Sequence, residues 1–121
     1  DGVRRNLVQR AREVNDVAAR ARADRLNPDD IQGGTFSITN AGVFGAINSS
    51  PVINVPEVAI LGVHKIVERP AVRNDSIVIR DLMNLSISVD HRVVDGHDAA
   101  RFVAEIKATL ESPASLYPEA T

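Results

Sequence analysis

A chain of 121 residues with 14 Lys and Arg against 16 Asp and Glu carries a net charge of −2, which gives it no general pull toward nucleic acid or anionic membranes. It has no cysteine, which excludes a disulfide framework, a thiol nucleophile and a Cys-ligated metal. Its apolar fraction of 44% suits one globular domain, residues 1–121, and with three Phe, one Tyr and no Trp the core must come from Val, Ile, Leu and Ala.

Residues 3–23 read as an amphipathic helix, because Val3, Leu7, Ala11, Val14, Ala18 and Ala21 recur on one face of a 3.6-residue period. The arginines Arg4, Arg5, Arg10, Arg12, Arg20, Arg22 and Arg25 read as its solvated face. Asn27-Pro28 joins a cap residue to a first-turn proline, and Asp29 and Asp30 follow where the helix dipole favours negative charge. A short helical turn over 28–31 is expected, ended by Gly33-Gly34.

Thr35 to Asn40 alternates strictly, with Phe36 and Ile38 on one side and Thr35, Ser37 and Thr39 on the other. It reads as a half-buried strand with a hydroxyl-lined second face. Residues 41–56 read as a loop whose length, about 15 residues, favours a functional role. Val58 to Val63 is apolar on both faces, the pattern of a central strand. Arg73-Asn74-Asp75-Ser76 is a turn signal. A strand from Ile77 is expected to run on through Leu85, Ile87 and Val89, forming a long antiparallel hairpin with 58–63. After Gly96 a helix buries Ala99, Phe102, Val103, Ile106 and Leu110 until Pro113 stops it. The order of elements predicts an α+β fold with helices packed on a sheet. No apolar run is long enough to span a bilayer, and residues 1–20 lack a signal-peptide core. The chain opens in mid-pattern without a Met and reads as a piece of something longer.

The strongest local signal is Asp90-His91-Arg92-Val93-Val94-Asp95-Gly96. It places a His at a strand end, followed by an Asp four residues on and a helix. A neutral imidazole there can take a proton from a thiol or hydroxyl near pH 7. Each residue also has a plain structural role open to it. Asp95 is placed to cap the helix, Asp90 and Arg92 to pair with each other, and His91 to be an ordinary strand-end histidine. His64 and His97 have no acidic neighbours at metal spacing and read as non-catalytic; no metal-binding pattern is present.

Asp-His-Arg-x-x-Asp-Gly near the end of such a chain resembles the active-site signature of the dihydrolipoamide acyltransferases, the E2 components of 2-oxo acid dehydrogenase complexes. Gly33 to Asn40 resembles the family's GGTFTITN-type strand, and Pro51 to Gly62 its P-I-I-N-x-P-E-V-A-I-L-G segment. The agreement runs in register over residues 3–117 and corresponds to the C-terminal half of the family's catalytic domain. The resemblance implies a chloramphenicol-acetyltransferase-like, CoA-dependent acyltransferase fold with a mixed sheet. It implies a homotrimer built into a larger core, and acyl transfer between dihydrolipoamide and coenzyme A. On it, His91 is the base that deprotonates the attacking thiol, Thr39 the hydroxyl that faces the oxyanion, and Asp95 an acidic residue that orders the site. His91 of one subunit is expected to meet Thr39 of the next.

The lipoyl group would sit on a separate domain, and the E1 and E3 components would bind through segments outside this chain. The fragment alone is expected to be poorly active. Bacterial cytoplasm and mitochondrial matrix both hold such complexes. Thr39 to Gly45 and Gly62-Val63-His64 resemble succinyl-transferring members; Lys65 to Pro70 and Arg80 to Asn84 resemble branched-chain and acetyl-transferring ones. Chloramphenicol acetyltransferases and condensation domains carry a His where this chain has Asp90, which argues against both. The remaining alternative is a non-catalytic module that builds the trimer or core.

Overall fold

A computed structural model of the chain describes residues 6–116. The chain divides into two compact units, one of residues 1–34 with 107–121 and one of residues 35–106. Val3, Arg4 and Arg5, assigned above to the first helix, lie outside the described residues, as does the end of the tail.

In the first unit, α1 (Leu7–Arg22) starts at an N-cap Asn6. Asn6 Oδ1 accepts from Gln9 N–H (2.9 Å) and Gln9 Oε1 accepts from Asn6 N–H (3.1 Å), a reciprocal capping box. α2 (Pro28–Ile31) forms where Asn27-Pro28 placed it, with Asp30 accepting from the Asn27 N–H at 2.8 Å. Arg20 corrects the reading of the arginines as a purely solvated face. Its guanidinium bonds Asp16 at 2.9 Å and forks onto both oxygens of Asp30, tying α1 to α2. That pairing raises the Arg20 pKa and holds the Asp30 carboxyl below its ordinary range. The expected apolar face of α1 is not buried, and Val14 is 68% exposed.

The second unit holds a three-stranded sheet in the order β1-β2-β5 and a separate ribbon of β3 and β4. β2 (Ala59–Val63) is central, parallel to β1 (Ser37–Asn40) and antiparallel to β5 (Leu85–Val89). The sheet is therefore mixed, and the doubly apolar stretch does take the middle position, with Ala59, Ile60, Leu61 and Gly62 all buried. β3 (Val67–Arg73) and β4 (Ser76–Leu82) meet across Asn74 and Asp75. Both turn residues have left-handed φ, 50° and 60°, as a two-residue hairpin with right-handed strand twist requires.

Two expectations fail here. The strand expected over 77–89 is two strands, broken at Met83-Asn84, and only its second half pairs with β2. The long hairpin is interrupted by β3, which its charges and Pro70 hid in the sequence. Proline is tolerated in a two-stranded ribbon because each strand keeps an open edge. In β1 the burial is the reverse of that expected: Ser37 and Thr39 are half-buried, whereas Ile38 is 67% exposed. β1 is an edge strand, and the sheet face that carries Thr39 is the one overlaid by the 46–51 loop.

α3 (Gly96–Glu111) follows, with Ala99 buried and Phe102 packed on Phe36, ring centroids 5.5 Å apart. Leu110, expected on its buried face, is 55% exposed. The helix stops before Pro113, where a 3₁₀ turn begins.

Candidate active site

The sheet's register sets the site. Thr39 pairs with Gly62, and Gly62 with Ser86, so these three form one row across the three strands. A Cβ on Gly62 would lie 2.5 Å from Ser86 Oγ and 3.3 Å from His64 Cε1, so a larger residue at this place in the row would force Ser86 to move. His64, two residues beyond Gly62, therefore folds back over the same face.

His64 is 3% exposed. Its Nδ1 meets the Asn84 carbonyl at 2.8 Å. A carbonyl only accepts, so Nδ1 donates, and in the neutral ring Nε2 accepts the Ser49 hydroxyl, also at 2.8 Å. Asn84 Nδ2 in turn donates to Asn48 Oδ1 (2.9 Å) and to the Ile47 carbonyl (3.3 Å). This network fixes the 46–49 loop over the sheet and pulls Asn84 out of strand geometry, which accounts for the break between β4 and β5. The loop is thus less irregular than the sequence suggested. It opens with a 3₁₀ turn at Gly42–Phe44, and a Cβ on Gly42 would lie 2.6 Å from the His64 backbone carbon.

His91 lies just past the other end of β5. Asp90 N–H donates to the Val58 carbonyl (2.8 Å), the last rung between β2 and β5, and His91 begins the turn that follows. The residue is exposed, and among the described residues its imidazole makes no hydrogen bond. Asp95 caps α3: its Oδ1 accepts from Asp98 N–H at 2.9 Å and its carbonyl from Ala99 N–H at 3.1 Å. Asp90 and Arg92 form the ion pair suggested by their spacing, with Arg92 Nη2 and Nε at 2.8 and 3.0 Å from the two carboxylate oxygens. Those bonds hold the Asp90 pKa down at about 2.

The fold brings His91 and Asp95 to one turn-to-helix junction but does not bring Thr39 to them. His91 is five residues along and two strands across from Thr39, on the order of 15–20 Å at ordinary strand spacing. Two polar groups are buried with no sign of it in the sequence. Among the described residues, Glu57, 8% exposed, has an Oε2 without a hydrogen-bond partner, and Ser86 has a buried Oγ in the same condition. A Glu beside an apolar strand gives no sign of burial before the register is known. Among the described residues no group of His, Asp and Glu is arranged to hold a metal, and no helix is long and apolar enough to cross a membrane.

The second unit is a mixed α+β core, with the Asp90-His91-Arg92 turn past one end of β5 and Thr39 and Ser86 in one row toward the other. Residues 3–117 match the model of the 2-oxoacid dehydrogenases acyltransferase catalytic domain, and the chain belongs to that family. It is 50% identical over 115 residues to the lipoamide acyltransferase component of the branched-chain alpha-keto acid dehydrogenase complex of Pseudomonas aeruginosa, covering 95% of this chain and 27% of that protein. It is 46% identical over 103 residues to the succinyltransferase component of the 2-oxoglutarate dehydrogenase complex of Azotobacter vinelandii, covering 85% and 26%. Among solved structures, the cubic core of a pyruvate dehydrogenase multienzyme complex superposes with a TM-score of 0.86 at 36% identity, over 93% of this chain and 46% of that one. The chain thus spans about a quarter of the length of these curated relatives and under half of the solved core.

Proposed function

We propose that this chain supplies the histidine-bearing part of an acyltransferase that moves an acyl group between dihydrolipoamide and coenzyme A. One observation carries the reading: the family match spans residues 3–117, a stretch that includes both Thr39 and the Asp90–Gly96 turn. His91 takes the proton from the attacking thiol, whose free pKa of about 8.5 leaves it mostly protonated at neutral pH. The thiolate adds to the thioester carbonyl, and the Thr39 hydroxyl donates to the oxyanion that forms. Collapse of the intermediate expels the second thiolate, which recovers the proton from His91. Losing a single such oxyanion donor costs about 10²–10³ in rate.

The separation of Thr39 from His91 within one chain favours a site shared between copies, with His91 of one subunit facing Thr39 of the next in a trimer. Many apolar side chains lie open, among them Val43, Phe44, Val52 and Val55, which supports assembly into trimers and a larger core. The lipoyl domain and the E1 and E3 components would engage through segments outside this chain, in bacterial cytoplasm or mitochondrial matrix. Acetyl, succinyl and branched-chain acyl groups all remain candidates, because pocket shape selects among them.

The test uses the full-length protein. His91→Ala and Thr39→Ala each lose acyl transfer. Mixed by unfolding and refolding at equal amounts, the two variants regain about a quarter of wild-type activity. In a closed trimer a site works only where an intact His91 faces an intact Thr39, a chance of about one in four. Full activity in His91→Ala would leave only the assembly role, and no recovery on mixing would place both groups in one chain.

A further inference from the structure

His91 has no hydrogen bond of its own to aim its ring among the described residues. The backbone of the turn sets the place and direction of the His91 Cα–Cβ bond, and that turn is built around the residue before it. Asp90 N–H donates to the Val58 carbonyl at 2.8 Å, closing the β2–β5 ladder. The Asp90 carbonyl accepts from Val93 N–H and from Val94 N–H, both at 2.9 Å. Asp90 Oδ1 accepts from the Arg92 N–H at 3.1 Å, an Asx turn that spans His91. The Arg92 guanidinium then closes over the outside, with Nε on Oδ1 at 3.0 Å and Nη2 on Oδ2 at 2.8 Å. Asp90 is thus bonded to groups on both sides of His91 through its N–H, its carbonyl and both side-chain oxygens.

We infer that Asp90, clamped by Arg92, is a positioning residue for His91: its carboxylate holds the turn that aims the imidazole at the reacting thiol. This rests on His91 being the base. The layout separates positioning from folding. Removing the carboxylate deletes the Asx turn and the guanidinium fork but leaves the ladder rung and both carbonyl bonds. The Arg92 side chain is 88% exposed against 21% for Asp90, so its loss uncovers no core. What changes is how tightly the turn is held, and a misplacement of about 1 Å at a reacting group is enough to cost on the order of a hundredfold in rate.

The experiment compares Asp90→Ala, Asp90→Asn, Arg92→Ala, the Asp90→Asn/Arg92→Ala double variant and His91→Ala in the full-length protein. Acyl transfer is measured at saturating and limiting thiol, and folded protein is quantified by circular dichroism. Asp90→Ala is expected to lower kcat about ten- to a hundredfold while KM stays within about threefold. Asn keeps an acceptor for the Arg92 N–H but gives up the charged fork, so Asp90→Asn is expected to be intermediate. Arg92→Ala is expected to match it, and the double variant to be no worse than either single one, since both break the same clamp. If Asp90→Ala proves unstable, Arg92→Ala carries the test. Variants that lose folded protein but keep wild-type kcat per folded chain, with His91→Ala inactive, would reduce the clamp to a structural role and overturn the proposal. Activity in His91→Ala would instead overturn the assignment of the base on which it rests.

Discussion

Gly62 stands against side chains, whereas Gly42 stands against the His64 and Lys65 backbone, so the clash at Gly62 is one that a second substitution can relieve. Gly62→Ala would set a methyl group 2.5 Å from Ser86 Oγ, 3.3 Å from His64 Cε1 and 3.4 Å from Pro51 Cγ. β2 has a ladder on either side, so its backbone has little freedom to withdraw. His64 is bonded at both ring nitrogens and does not yield cheaply. Ser86 Oγ does yield: among the described residues it has no hydrogen-bond partner, so rotating it forfeits no bond. The balance is a cost of about 1–2 kcal/mol, within the ordinary range for overpacking. Ser86→Ala alone removes a buried, unpartnered hydroxyl and is expected to be neutral or to stabilise by up to about 1 kcal/mol. On that background the worst clash is gone, and Gly62→Ala should cost less than half as much. The coupling energy is then about 0.5–1 kcal/mol, measured by urea unfolding of all four proteins at constant m. Equal cost of Gly62→Ala on both backgrounds would refute this account of the row.

Asp95→Ala removes the cap of α3 and should destabilise by about 1 kcal/mol in urea, whereas Asp95→Asn keeps an acceptor for the Asp98 N–H and should stay near wild type. His64→Ala breaks two hydrogen bonds and opens a cavity, and is expected to cost about 2–4 kcal/mol by the same measurement, with Ser49→Ala nearer 1 kcal/mol. Acid stability follows from carboxyls whose pKa falls on folding, Asp90 to about 2 and Asp30 in the same direction. Their stabilisation is complete above the unfolded value of about 4 and is lost as pH drops toward 2. The thermal midpoint of wild type should therefore fall more steeply than that of Asp90→Asn between those limits, and parallel curves would count against the pairing.

What the sequence disclosed, and what it withheld, divides by range. Features set within a few residues were legible: the Asn27-Pro28 helix start, the Asn74-Asp75 turn, the apolar run of β2 and the Asp95 cap are each fixed by their own neighbours. Features set across the sheet were not. Asn84 reads as one more polar residue in an alternating strand, and it leaves the ladder because His64, twenty residues away, takes its carbonyl. Ile38 reads as core by period, but the alternation of a strand states only that two faces differ, not which of them another segment will cover. The same limit governs the candidate site. Thr39 and His91 are each recognisable from local motif, and nothing local says that β2 lies between their strands, with His91 beyond the opposite end. That intervening strand turns two familiar residues into a claim about assembly. If they share a site across that separation, the second copy is part of the chemistry.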